Sequence, residues 1–194
     1  MAQTPFSVSN FTSALAGDGA RPNLFQVNMT LPIIAPANQA TGQTLNGRNI
    51  TFKAKAAQLP GSTIGTVPLY YMGREMKFAG NRTFADWTVT IINDEDFSIR
   101  NSIELWMNAL NSNEGNVRGA YVGNLSPNVG LGYTTQASVT QYGKDGRQLK
   151  KYDFVGMFPV DMSPIDLDWG TNDSIEEFSV TFAYQYWNAA DTTT

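Results

Sequence analysis

Residues Glu177–Trp187 read Glu-Phe-Ser-Val-Thr-Phe-Ala-Tyr-Gln-Tyr-Trp. Phe178, Val180, Phe182, Tyr184 and Tyr186 fall on one side of an extended chain, with Ser179, Thr181, Ala183 and Gln185 on the other. Strand side chains alternate between two faces, so this period of two describes a half-buried strand rich in β-branched and aromatic residues. The pattern recurs upstream. Asp86–Asn93 sets Trp87, Val89 and Ile91 against Thr88 and Thr90, and Leu24–Thr30 sets Phe25, Val27 and Met29 against Gln26 and Asn28. Ile50–Ala57 alternates Ile50, Phe52 and Ala54 with Thr51, Lys53 and Lys55. Thr63–Tyr71 and Arg74–Ala79 read as strands about a break at Met72-Gly73, with Gly80-Asn81-Arg82 as a further turn. Thr134–Tyr142 and Gln148–Phe158 flank Gly143-Lys144-Asp145-Gly146, whose Asp-Gly ending suits a hairpin.

One stretch has a helical period. Ile99, Ile103, Trp106, Met107 and Leu110 make a single apolar stripe. Asp94, Glu95 and Asp96 stand where carboxylates favour a helix start, and Asn113 and Gly115 supply an end. The expected fold is therefore mainly β: an antiparallel β-sandwich or split barrel with one flanking α-helix, as a single domain over residues 1–194. Residues 1–19 read as a flexible arm with a short helical turn around Phe11–Leu15. Residues 32–49 and 116–132 read as long loops, and 188–194 as a polar tail.

Composition removes much chemistry. The 194 residues contain no Cys and no His, so thiol nucleophiles, redox pairs, Cys/His zinc sites and His-based triads are excluded. Thirteen basic against 17 acidic residues give a net charge of −4, which disfavours a general nucleic-acid or anionic-membrane binder. No run approaches 18 consecutive apolar residues, so no helical membrane span is expected. The opening residues lack the basic start and apolar run of a secretory signal, and the expectation is a soluble cytosolic product. The Asn-x-Ser/Thr triplets that follow from an Asn- and Thr-rich composition are then not glycan sites.

No active site emerges. Asp94-Glu95-Asp96 as a glycosidase pair is outweighed by its helix-start reading, because adjacent carboxylates rarely converge on one atom. Asp166, Asp168 and Glu177 occupy EF-hand positions one, three and twelve, but Gly170 replaces a ligand and Thr171 replaces the bend glycine. A turn is the better reading. Lys53 with Lys55, and Lys144 through Lys151, read as a solvated strand face and a charged hairpin tip rather than a nucleic-acid groove. Catalytic residues, metal ligands and cofactors are all expected to be none.

Three segments are more specific. They are Gly19-Ala-Arg-Pro-Asn-Leu-Phe-Gln-Val27; Ala79-Gly-Asn-Arg-Thr-Phe-Ala-Asp-Trp-Thr-Val-Thr90 continued by Asn93-Asp94-Glu95; and Leu167-Asp-Trp169 followed by Ile175-Glu-Glu-Phe178 and Tyr186-Trp187. In this order and spacing the chain resembles the tail tube proteins of T-even-type contractile-tailed bacteriophages, from about residue 19 to 187. The segments 32–49 and 116–132 look like insertions.

The resemblance implies a structural virion protein with no enzymatic activity. Family members form hexameric rings whose inner strands close into one barrel, and the rings stack into a hollow tube. The implied partners are other copies of the chain, a tail sheath protein, a baseplate or tube initiator, and a tape measure protein. Genomic DNA passes through the lumen without sequence-specific binding. The implied location is the virion tail, after synthesis in the host bacterial cytoplasm. A net charge of −4 per copy suits an acidic conduit that repels phosphates.

Within the motifs, Arg21, Arg82 and Asp86 flank strand starts and are candidates for pairing inside a subunit or across to a neighbour. Trp87 and Trp169 are read as core anchors. The loop 32–49 is a candidate for inter-ring contact, or for disorder until assembly. The same fold also serves phage-tail-like bacteriocins, other contractile injection systems and tube-initiating baseplate proteins. From another class, a monomeric β-barrel binding a small ligand suits the aromatic content.

Overall fold

The computed structural model describes residues 7–15, 19–31, 53–116 and 132–191. The long loop 32–49, nearly all of 116–132 and the first residues of the strand read from Ile50 lie outside them. In chain order the elements are α1 (Val8–Ala14), β1 (Phe25–Met29), β2 (Ala54–Ala57), β3 (Ser62–Tyr71), β4 (Arg74–Phe84), β5 (Trp87–Ile92), α2 (Ser98–Leu110), β6 (Thr135–Tyr142), β7 (Gln148–Met162), β8 (Glu177–Ala183) and β9 (Tyr186–Asp191).

Seven strands form one antiparallel sheet in the order β1-β6-β7-β8-β5-β2, with β9 also paired to β7. Its outer strands β1 and β2 approach each other, so the sheet curls around its apolar face. The period-two residues build that face. Val27 and Met29 of β1, Trp87, Val89 and Ile91 of β5, and Phe178, Val180 and Phe182 of β8 are all buried. From α2 come Ile99, Ile103, Trp106 and Ala109, which close the core. The aromatic centre is tightly packed: Trp87 stacks on Phe154 at 4.4 Å between centroids, and Phe182 lies 6.0 Å from Trp87 and 6.3 Å from Trp106. Both buried indoles donate to backbone carbonyls, Trp87 to Gln58 at 2.8 Å and Trp106 to Tyr133 at 2.9 Å, so their burial leaves no orphaned N–H.

Several sequence expectations need correction. The strand read as Glu177–Trp187 is two strands. The long strand β7 takes a left-handed turn at Gly156, φ 69°, and changes partner there from β9 to β8. The partner chain breaks opposite that bend, with the Gln185 N–H donating to the Val155 carbonyl at 3.0 Å. The break shifts the alternation by one residue, so Tyr186 turns outward while Trp187 packs against the core. Strand structure then continues to Asp191 through residues read as the start of a polar tail.

The acidic run does not cap α2. The N-cap position is Phe97, itself left-handed at φ 50°, with no side-chain cap and no acidic residue in the first turn. Asp94 instead pairs with Lys53, and its carbonyl accepts the Phe97 N–H at 2.9 Å. The helix ends at Leu110 with Asn111 as its C-cap, before Asn113. A second helix, α1, is present, capped by the Ser7 side chain and burying none of its residues. Finally, Gly80-Asn81-Arg82 does not turn the chain: β4 runs through it to Phe84.

Candidate functional site

The feature that the core does not explain is the ribbon of β3 and β4. It forms a sheet of its own, off the main one. Met72 and Gly73 join the strands with φ of 46° and 79°, the two positive values that a two-residue type I′ connection requires. Near the base the pairing shifts register between Ile64 and Thr66, where Gly65 and Gly80 bring the backbones together. A β-carbon at Gly80 would lie 3.0 Å from the Gly65 carbonyl oxygen, so the bulge is built on glycine.

All ten residues of β3 are exposed, as are all residues of β4 but Gly80 and Phe84. Register sorts them. Val67 faces Phe78 and Leu69 faces Met76, placing these four on one side of the ribbon. Thr66 opposite Ala79, Pro68 opposite Lys77 and Tyr70 opposite Glu75 occupy the other. One face is therefore an uncovered apolar strip, with Met72 88% exposed at the tip. Two-stranded ribbons hold poorly on their own in water, and an apolar strip of this kind is a candidate interaction surface.

Lys53 and Lys55, read as a solvated basic face, pair with Asp94 and Glu177. Among the described residues no three carboxylates gather to hold a metal ion. The loop carrying Asp166 and Asp168 is instead shaped by turns: the Asp168 carboxylate accepts the Gly170 N–H at 3.0 Å, and its carbonyl accepts the Thr171 N–H at 3.2 Å.

The five residues singled out by sequence are not brought to one place. Trp87 lies in the core. Trp169 does not: it is 100% exposed at the tip of the Asp168 turn, so its reading as a core anchor of this chain is wrong. Arg82 sits on the ribbon opposite Ile64 and is exposed. Asp86 stands exposed just before β5. Burial, and secondarily the nearby Asp86 charge, raises the Tyr184 phenol above its ordinary pKa of 10.0. Arg21, exposed ahead of β1, lines an open depression of about 240 Å³ together with Lys144, Asp145, Arg147 and Leu149. Five ion pairs join Lys53–Asp94, Lys55–Glu177, Arg100–Glu104, Arg147–Asp145 and Lys151–Asp153, and none of these five includes Arg21, Arg82 or Asp86. The apolar strip on the ribbon was missed, although its alternating Val67, Leu69, Met76 and Phe78 were all visible.

Residues 20–190 match the family model described as phage tail tube protein. Tail tube protein gp19 of Enterobacteria phage T4 is 34% identical over 173 residues, covering 89% of this chain and 93% of its own length. Two solved structures share the fold. A chain of an extracellular contractile injection system, in the PVC sheath-tube complex in its extended state, superposes with a TM-score of 0.58 at 12% identity, over 96% of this chain and 99% of that one. A chain of the anti-feeding prophage baseplate does so with a TM-score of 0.58 at 11% identity, over 90% and 97%.

Proposed function

The chain belongs to the phage tail tube protein family, and from that membership we propose that it is the structural subunit of the inner tube of a contractile phage tail. The observation that carries this reading is the family match across residues 20–190. The exposed apolar strip of the β3–β4 ribbon supplies a physical means of assembly. Val67, Leu69, Met76 and Phe78 gain by leaving water, and the surface available to every copy is that of another copy.

In this reading six copies close into a ring, with the ribbon of each laid against its neighbour. Sheet edges exposed in the single chain are thereby paired or covered. Rings stack into a conduit inside a sheath, growing from a baseplate or initiator around a tape measure protein. The genome passes through without sequence-specific contacts. The role is mechanical and asks for no catalytic group, cofactor or metal, and the place of the protein is the virion.

A tube subunit of another contractile injection system is the second reading, favoured by the fold shared with the PVC sheath-tube complex. Identity of 34% to the phage protein against 12% to that chain places the phage reading first.

Negative-stain electron microscopy of the purified protein over a concentration series, with and without added baseplates, is the test. Hollow rings or uniform tubes are expected. Single particles that stay single in the presence of baseplates would overturn the proposal and favour the ligand-binding barrel instead.

A further inference from the structure

Strand β7 joins two segments of opposite charge. Residues 143–151, its leading turn and first residues, contain Lys144, Arg147, Lys150 and Lys151 against the single carboxylate Asp145. Residues 163–176, the loop that follows it, contain Asp166, Asp168, Asp173 and Glu176 and no cation. Residues 151 and 163 are separated along β7 by no more than about 40 Å at about 3.3 Å per residue, and they lie toward opposite ends of a strand that bends at Gly156. None of the five ion pairs named above joins the two segments. Lys53 and Lys55 are held by Asp94 and by Glu177, the residue that follows the acidic segment. Arg100 is engaged with Glu104, and also donates to the Ser163 carbonyl at 3.4 Å.

The acidic loop also carries apolar side chains in water. Trp169 is 100% exposed, Leu167 80% and Ile175 70%. Single exposed apolar residues are ordinary, but three within nine positions form a patch, and tryptophan is the side chain most enriched where binding energy concentrates. The turn built on Asp168 holds Trp169 at the tip, so its presentation is fixed before any partner arrives.

The other end offers a matching receptacle. The depression of about 240 Å³ is lined by Arg21, Lys144, Arg147, Asp145 and Leu149. Guanidinium groups stack on indole rings and Leu149 supplies an apolar wall; Arg147 meets Asp145 only in an exposed pair at 3.7 Å, which it can exchange for Asp166 or Asp173 beside the incoming tryptophan.

Resting on the tail tube reading, we infer that the Trp169 loop of one copy seats in the Arg21–Lys144–Arg147 depression of a second copy, joining successive layers head to tail. Such a contact uses two different patches of the same chain. It does not close on itself, and it therefore propagates along an axis. Opposite charge sets polarity, because a copy turned end for end would oppose acid to acid and base to base.

The test uses full-length protein with baseplates, scored first on the unaltered chain. Trp87 and Trp106 are buried and Trp187 is partly buried, so acrylamide quenching reports chiefly on Trp169. Tube growth is expected to blue-shift the emission and reduce quenching, and Trp169→Phe is expected to abolish that change. Lys144→Glu with Arg147→Glu should leave rings and stop elongation, as should Asp166→Lys with Asp173→Lys. The chain carrying all four substitutions should recover tubes. Normal elongation by both reversed variants, unchanged quenching of Trp169 on stacking, or failure of the fourfold swap to recover tubes would each overturn the inference while leaving the tail tube reading in place. If the unaltered chain forms no tubes, both fall.

Discussion

Gly80 lies so close to Gly65 across the β3–β4 ribbon that a β-carbon there would meet the Gly65 carbonyl oxygen at 3.0 Å and Val67 Cγ2 at 3.3 Å. The first of these neighbours is backbone, which cannot rotate away. Gly80→Ala should therefore open the bulge and misdirect the ribbon. Because Gly80 lies outside the core, thermal unfolding of the monomer should change by no more than about 0.5 kcal/mol, while tube formation in electron micrographs falls sharply. Gly61→Ala, with open space around its position, is the control and should assemble normally.

The apolar strip itself is open to a direct trial. Val67→Lys with Leu69→Lys places two ammonium groups on the face shared with Phe78 and Met76. Both positions are exposed, so the effect on monomer stability should stay within about 0.5 kcal/mol per site. Sedimentation velocity should show a chain that no longer self-associates.

Core substitutions should behave in the opposite way. Trp87 is packed on Phe154 and Phe182, with its indole N–H bonded to Gln58. Trp87→Ala should cost about 3–5 kcal/mol in urea unfolding of the monomer, from the cavity left and the lost burial.

Tyr184 provides a pH signature. Its phenol is raised above 10.0 by burial and then by Asp86, so the fold favours the neutral form. That stabilisation is fully present below pH 10 and is lost as pH climbs through the raised folded value. Stability should thus fall at strongly alkaline pH, and Tyr184→Phe should flatten that fall. Asp86→Asn should move the phenol titration, followed by ultraviolet absorbance, toward its ordinary position.

How much of this could be read from the sequence depends on what fixes each element. Trp87, Val89, Ile91, Phe178, Val180 and Phe182 were legible because a period of two with large residues on one side leaves a strand few ways to lie. The ribbon was only half legible. Val67, Leu69, Met76 and Phe78 alternate in the same manner as the core strands, and periodicity records that a strand has an apolar face but not which molecule covers it. Trp169 was misplaced for a related reason: its size suggested burial, while the deciding signal was the turn chemistry of Asp168 and Gly170 on either side. The break between β8 and β9 was hidden because nothing in Tyr184-Gln185 marks it. Its cause, the bend at Gly156, lies in another strand.

Apart from Phe84, which meets Tyr184 at its base, the ribbon lies outside the core of its own subunit, and in the proposed tube this separates two events that many oligomers merge. In that reading the globular part has its own core before any neighbour is met, and a newly made copy is a complete particle with an arm extended. Growth of the proposed tube would then be governed by the supply of growing ends rather than by the speed of folding. The length of the finished object is free to be set by something other than its building block.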